Sequence, residues 1–169
     1  MKIDDVALTL FEWSGIPPTK YGLHTGSFRG SSQLGLLTIR TDGGVEGHAF
    51  LGAASRPASL DAQSMMDRLK PVLMGQDPLD RERLYRDMCR HLRTTTYRAV
   101  GAADVALWDI AGKVAGLPIY QLLGAARRSL PAYASSPVLP SKAEYVAQAK
   151  ERQEGGWAAY KIHPPAEWR

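Results

Sequence analysis

Beyond residue 129 the hydrophobic period of the chain switches twice, and that switch constrains the fold more than any other feature. Leu130 to Ser135 reads as a strand, Ser141 to Glu154 as a helix, Gly155-Gly156 as its stop, and Ala158 to His163 as a second strand. Such a β-α-β unit needs a right-handed crossover and sets its strands parallel in one sheet. A parallel pair has two faces and two edges that need cover, so it cannot stand alone. A closed barrel of alternating strands and helices supplies that cover, at about 250 residues. This chain has 169, and only residues 128–169 follow the pattern, so they are expected to be the first unit of an incomplete barrel.

The preceding residues follow other rules. Lys2 to Phe11 alternates as a strand should, while Gly15 to Ser32, with Pro17, Pro18 and several glycines, reads as a long mobile loop. Leu34 to Arg40 and Val45 to Leu51 are apolar runs joined by Thr41-Asp42-Gly43-Gly44, whose Asp-Gly step favours a hairpin with positive φ. Helices are expected at Ser59 to Leu69, closed by Lys70-Pro71, and after Asp77 or Asp80, either of which can cap. The strongest helix runs from Arg98 to Ala115, rich in alanine and ended by Gly116 with Pro118 beyond. Composition breaks near Ala125 to Ser129. The expectation is an α+β domain over 1–127, built on a three-stranded antiparallel sheet with helices, then the start of an α/β barrel over 128–169.

Composition narrows the function classes. The 44% hydrophobic content is enough for a core. A single cysteine, Cys89, rules out an internal disulfide and a cysteine-cluster metal site. Acidic Asp4 and Asp5 stand where a signal peptide is apolar, and no run is long enough to span a membrane, so a cytoplasmic protein without membrane partners is expected. The net charge of +4 and pI near 9.3 raise the question of nucleic acid. Between Arg81 and Arg98, however, the cations alternate with Asp80, Glu82 and Asp87. Leu84, Met88 and Leu92 recur every four residues, with Arg83, Arg86, Arg90 and Arg93 opposite. An amphipathic helix with a solvated face accounts for the charge, and no nucleic-acid motif accompanies it.

Lys161 and His163 are the pair on which a chemical reading depends. Alternation along a strand turns positions 161 and 163 to one face, about 6.5 to 7 Å apart. Two readings are open for an amine beside an imidazole: a solvated edge, or a pair at the end of a barrel strand, where that architecture keeps its catalytic groups.

Ala99 to Gly124 reads AVGAADVALWDIAGKVAGLPIYQLLG. With Asp104, Ala106, Leu107, Trp108, Asp109, Gly112, Lys113, Gly116, Pro118 and Leu123-Gly124, it closely resembles the signature of the mandelate racemase and muconate lactonizing enzyme group of the enolase superfamily. The order of elements fits as well. The resemblance covers essentially the whole chain, as the N-terminal capping domain and the first two barrel strands of such enzymes.

The resemblance implies abstraction of a proton α to a carboxylate, with the enediolate held on Mg²⁺ and Lys or His as base. By similarity Lys161 matches the first lysine of a Lys-x-Lys motif, near the substrate carboxylate. His163 takes the second lysine's place and is the candidate general base, or acid in reverse. Two loops of the capping domain, about Ile16 to Gly30 and Leu51 to Pro57, would select substrate. Lys20, His24, Arg29 and Arg56 would then bind a small anionic carboxylate, an acid sugar more readily than an aryl acid. Asp104, Asp109 and Lys113 read as structural, the last two as an ordinary surface pair at i and i+4. The family's metal ligands belong to later barrel strands, and none is identified here.

The function expected is the N-terminal part of a Mg²⁺-dependent acid-sugar dehydratase, acting on an aldonate or aldarate. A racemase or epimerase of the same superfamily is the alternative, and a stand-alone binding module a third reading. The isolated chain is expected to be inactive and the protein to form homo-oligomers.

Overall fold

The computed structural model describes residues 1–20 and 28–164. Strand β1 spans Ile3–Thr19 and β2 spans Phe28–Thr41, so much of the expected loop at 15–32 is extended. Pro17 and Pro18 are tolerated there because β1 is an edge strand of the β1-β2-β3 sheet, where one of two successive N–H groups faces away from β2 and its loss breaks no rung. Strand β3, Glu46–Leu51, runs antiparallel to β2 in a register from Gly35↔Leu51 to Arg40↔Glu46. The turn between them closes through Gly44 N–H to Thr41 O at 2.9 Å, and the positive φ falls on Gly44.

One face of this sheet is apolar, with Leu37 and Ile39 from β2 and Ala49 and Leu51 from β3. Helices cover it. The first helical stretch is α1 (Ser59–Ser64), a π turn (Met65–Leu69) and α2 (Lys70–Leu73). It runs past Pro71 because the π turn carries Lys70 N–H back to Met65 O. Pro71 then sits in the first turn of α2, where no donor is needed. Helix α3, Arg81–Cys89, buries Leu84 and Met88. Asp80 holds its N-cap position without a side-chain cap bond, since its carboxylate accepts from Arg83 Nη2 at 2.9 Å.

Helix α4, Tyr97–Ala115, starts one residue earlier than the pattern suggested, because Thr96 caps it by accepting from Ala99 N–H at 3.1 Å. It ends at Gly116 in the left-handed conformation, and α5 (Ile119–Leu122) follows. Small residues let α4 lie close to β3. A Cβ on Gly47 would fall 2.1 Å from Ala106 O and 2.6 Å from Ile110 Cγ1, so only glycine fits at that crossing.

The chain divides into two compact units, Met1–Ser14 with Ser31–Ala126, and Gly15–Gly30 with Arg127–Arg169. In the second, β4 (Ala134–Ser135) and β5 (Tyr160–Lys161) pair in parallel around α6 (Lys142–Glu154). Both strands are shorter than the alternation suggested. Among the described residues neither has another strand on its far side, and Leu130 and Ile162 stay exposed. No described helix is long and apolar enough to cross a membrane.

Candidate functional site

Lys161 closes β5, and His163 lies two residues past it, beyond the paired strand. The pleat that would align their side chains therefore stops before the histidine. The Lys161 ammonium stands 5.8 Å from the centroid of the Tyr133 ring. His163 is tied to the end of β4: its N–H donates to Ser136 Oγ at 3.1 Å, and its Nδ1 is 2.5 Å from Ser136 O. Ser136 is fully buried. The Tyr145 hydroxyl donates to His163 O at 2.5 Å and accepts from Leu139 N–H at 2.8 Å, joining α6 to both strand ends. Sequence reasoning missed Ser136 and Tyr145. Ser136 follows a strand without distinction, but Tyr145 is the one aromatic residue of α6, which marked its inward face.

Of the expected substrate-binding residues, Lys20 and Arg29 are exposed in the second unit, where Lys20 O accepts from Val138 N–H at 2.8 Å. His24 lies outside the described residues. Arg56 belongs to the first unit, on a loop closed by reciprocal backbone bonds with Ala53. Its Nη2 donates to Asp61 Oδ1 at 3.2 Å. Asp61 is the acid in the first turn of α1. It is fully buried, accepts from the Thr96 hydroxyl at 2.9 Å, and pairs with Arg98 Nε at 3.4 Å. The signal was available, because Asp61, Met65 and Leu69 share four-residue spacing on the inner face of one helical stretch.

The Asp109 and Lys113 pair does more than an ordinary surface pair. Asp109 Oδ2 accepts from Lys113 Nζ at 2.7 Å and from the main-chain N–H of His48 at 2.9 Å, and Lys113 Nζ also donates to Glu46 O at 2.7 Å. Strand β3 is an edge of its sheet, so these are groups the ladder leaves open. Asp104, on the same helix, has its carboxyl raised above the usual aspartate range by burial. Arg81 opposes this shift and Glu82 adds to it. Arg81 itself lies over the Trp108 ring, 3.4 Å from its centroid.

Residues 7–124 match the N-terminal domain of mandelate racemase / muconate lactonizing enzyme. The chain belongs to that family. A D-galactonate dehydratase family member from Pseudarthrobacter chlorophenolicus is 38% identical over 133 residues, which is 75% of this chain and 32% of that protein. The crystal structure of D-glucarate dehydratase from Agrobacterium tumefaciens, complexed with magnesium, superposes with a TM-score of 0.78 at 28% identity, covering 99% of this chain and 46% of that one. A racemase from Streptomyces coelicolor with bound magnesium shares the fold, with a TM-score of 0.81 at 24% identity over 95% of this chain and 46% of its own. The chain spans about a third or less of the length of the curated relatives it matches. Its fold is the enolase-superfamily capping domain followed by the start of the barrel. Magnesium is present in two of these relatives, but among the described residues no group of three His, Cys, Asp or Glu side chains could hold a metal ion.

Proposed function

We propose that this chain supplies the N-terminal part of a cytoplasmic, homo-oligomeric acid-sugar dehydratase that removes the proton α to a carboxylate and then expels the β-hydroxyl. The observation that carries the reading is the pair at the end of β5 in a chain of this family: His163, tethered by ring and backbone to Ser136, and Lys161 two residues before it. An imidazole is suited to proton transfer near neutral pH. A nearby ammonium lowers the cost of the negative charge that develops on the carboxylate as the α-proton leaves. Lys20, directly after β1, Arg29, in β2, Arg56 and His24 are the proposed anion-binding residues. Relatives named for galactonate and mannonate dehydration favour an aldonate or aldarate.

The full-length enzyme is proposed to use Mg²⁺, as its relatives are solved with it. The residues described here offer no set that fits the ion, so each step assigned to this chain is a matter of binding, orientation or proton transfer. The isolated chain is accordingly proposed to lack turnover. Incubating the intact protein in D₂O with a panel of aldonates, aldarates and mandelate tests the reading. Formation of a 3-deoxy-2-keto acid carrying deuterium at C3, the former β-carbon, is expected. Exchange at the α-carbon without loss of water would make it a racemase, and neither exchange nor dehydration of any carboxylate would refute both.

A further inference from the structure

We infer that the carbonyl of Ser136 fixes His163 as its Nδ1–H tautomer, so that Nε2 is the nitrogen that takes or returns the substrate proton, and that the Ser136 hydroxyl makes this arrangement possible. The inference rests on the catalytic role proposed for His163 and adds the device that orients it.

A carbonyl oxygen can only accept, so an Nδ1 lying 2.5 Å from Ser136 O must carry the hydrogen. The lone pair of the neutral ring is then on Nε2. What makes Ser136 O available to the ring is a missing rung. The parallel ladder runs Ala134 N–H to Ala159 O at 3.0 Å and Ser136 N–H to Lys161 O at 2.9 Å. With evenly spaced parallel bonds, the next would carry His163 N–H to Ser136 O. That N–H goes instead to Ser136 Oγ, at 3.1 Å. The hydroxyl takes the rung from its own carbonyl, and the carbonyl turns to the imidazole. Tyr145 holds the same turn from the other side through His163 O and Leu139 N–H, and it is buried, so the backbone on which the ring sits is braced by α6. Ser136 and Tyr145 are thus positioning residues: they act on the proton only through His163.

The test is a long-range ¹H–¹⁵N spectrum of the protein labelled with ¹⁵N-histidine, in mildly alkaline solution where imidazoles are neutral. The His163 signals are assigned by their loss in His163→Gln. The wild-type protein should show the Nδ1–H pattern. Ser136→Ala removes the hydroxyl, returns the His163 N–H to the carbonyl and should move the ring toward Nε2–H, whereas Ser136→Thr should keep Nδ1–H. A wild-type Nε2–H pattern overturns the inference, and so does an unchanged tautomer in Ser136→Ala. If Ser136→Ala does not fold, the wild-type spectrum still decides. Exchange of the α-proton separates this inference from the function it rests on. An Nε2–H wild type whose His163→Gln variant loses exchange sinks the tautomer assignment alone. An Nδ1–H wild type whose His163→Gln variant exchanges normally sinks the catalytic reading, and the role of Nε2 with it.

Discussion

Replacing Gly47 by alanine should separate α4 from β3. The added Cβ would meet Ala106 O at 2.1 Å and Ile110 Cγ1 at 2.6 Å, where about 3.5 Å or more is ordinary contact. The carbonyl belongs to the helix backbone and cannot turn aside, so helix and strand must part by roughly 1 Å. Overpacking of this kind costs about 1 to 3 kcal/mol. The same displacement stretches the bonds from His48 N–H to Asp109 and from Lys113 to Glu46 O, now 2.9 and 2.7 Å. Hydrogen bonds to charged groups contribute about 1.5 to 3 kcal/mol each, less where water can replace the partner, as it can for half-exposed Lys113. Allowing for non-additivity, a loss of about 3 to 4 kcal/mol is expected. With a urea m-value of about 2 kcal/mol/M, the unfolding midpoint should fall by about 1.5 to 2 M, read from tryptophan fluorescence. Asp109→Asn should cost the native protein about 1.5 kcal/mol but add little in the Gly47→Ala background, where its bond to β3 is already stretched. A midpoint shift under about 0.3 M at unchanged m would show that helix and strand accommodate the methyl group, and would refute the account.

Asp61→Ala should destabilise the first unit by about 2 to 3 kcal/mol. It removes the partner of Thr96, Arg56 and Arg98, although both guanidiniums can turn to water. Asp61→Asn, which still accepts from Thr96, should cost less, and equal losses in urea titrations would contradict that ordering. Asp104→Asn should stabilise the protein at neutral pH. The folded-state pKa of Asp104 is raised, so its contribution is fully present below the ordinary aspartate value and is lost as pH rises through the raised one. The gain over wild type should shrink toward zero in acid, and a gain independent of pH would exclude titration of Asp104 as its source. In the intact enzyme, His163→Gln should lower α-proton exchange by about 10² to 10⁴, the usual value of one positioned acid or base, with circular dichroism unchanged. Lys161→Met should raise KM and lower kcat together, and a wild-type profile for either variant would remove that residue from the site.

Periodicity revealed the elements because it reflects burial: Leu37 and Ile39, or Leu84 and Met88, had to face a core whatever surrounded them. It failed where long-range partners decide. The extension of β1 through Pro17 and Pro18 depends on an edge position in the sheet, which no local pattern reports. The short β4 and β5 depend on neighbours that alternation takes for granted. In the candidate site, Lys161 and His163 were legible because an amine and an imidazole are side chains of the kind that move protons and hold anions. Ser136 was not, because its part is played by a hydroxyl standing in for its own carbonyl, and only the ladder register reveals that exchange.

The residues that identify the family and those proposed for catalysis are separate sets. The match ends at residue 124, and within it Asp109 and Lys113 spend their polar atoms on main-chain groups of β3, while Gly47 gives α4 room to reach them. An unpaired strand edge invites pairing with another chain, so an acid and a base one helical turn apart, placed over an exposed N–H and C=O, meet a need independent of the substrate. That need explains why so specific a stretch can fix the fold and mark the family without supplying a residue to the proposed proton transfer. Specificity must then come from positions whose chemistry can change without unseating α4. Lys161 and His163 lie beyond the matched residues, and Lys20 and Arg29 are exposed in the same unit as that pair. Exchanging Lys20 and Arg29 should therefore alter substrate choice at little cost in stability, whereas altering Asp109 or Gly47 should cost stability and leave the preference among acid sugars unchanged.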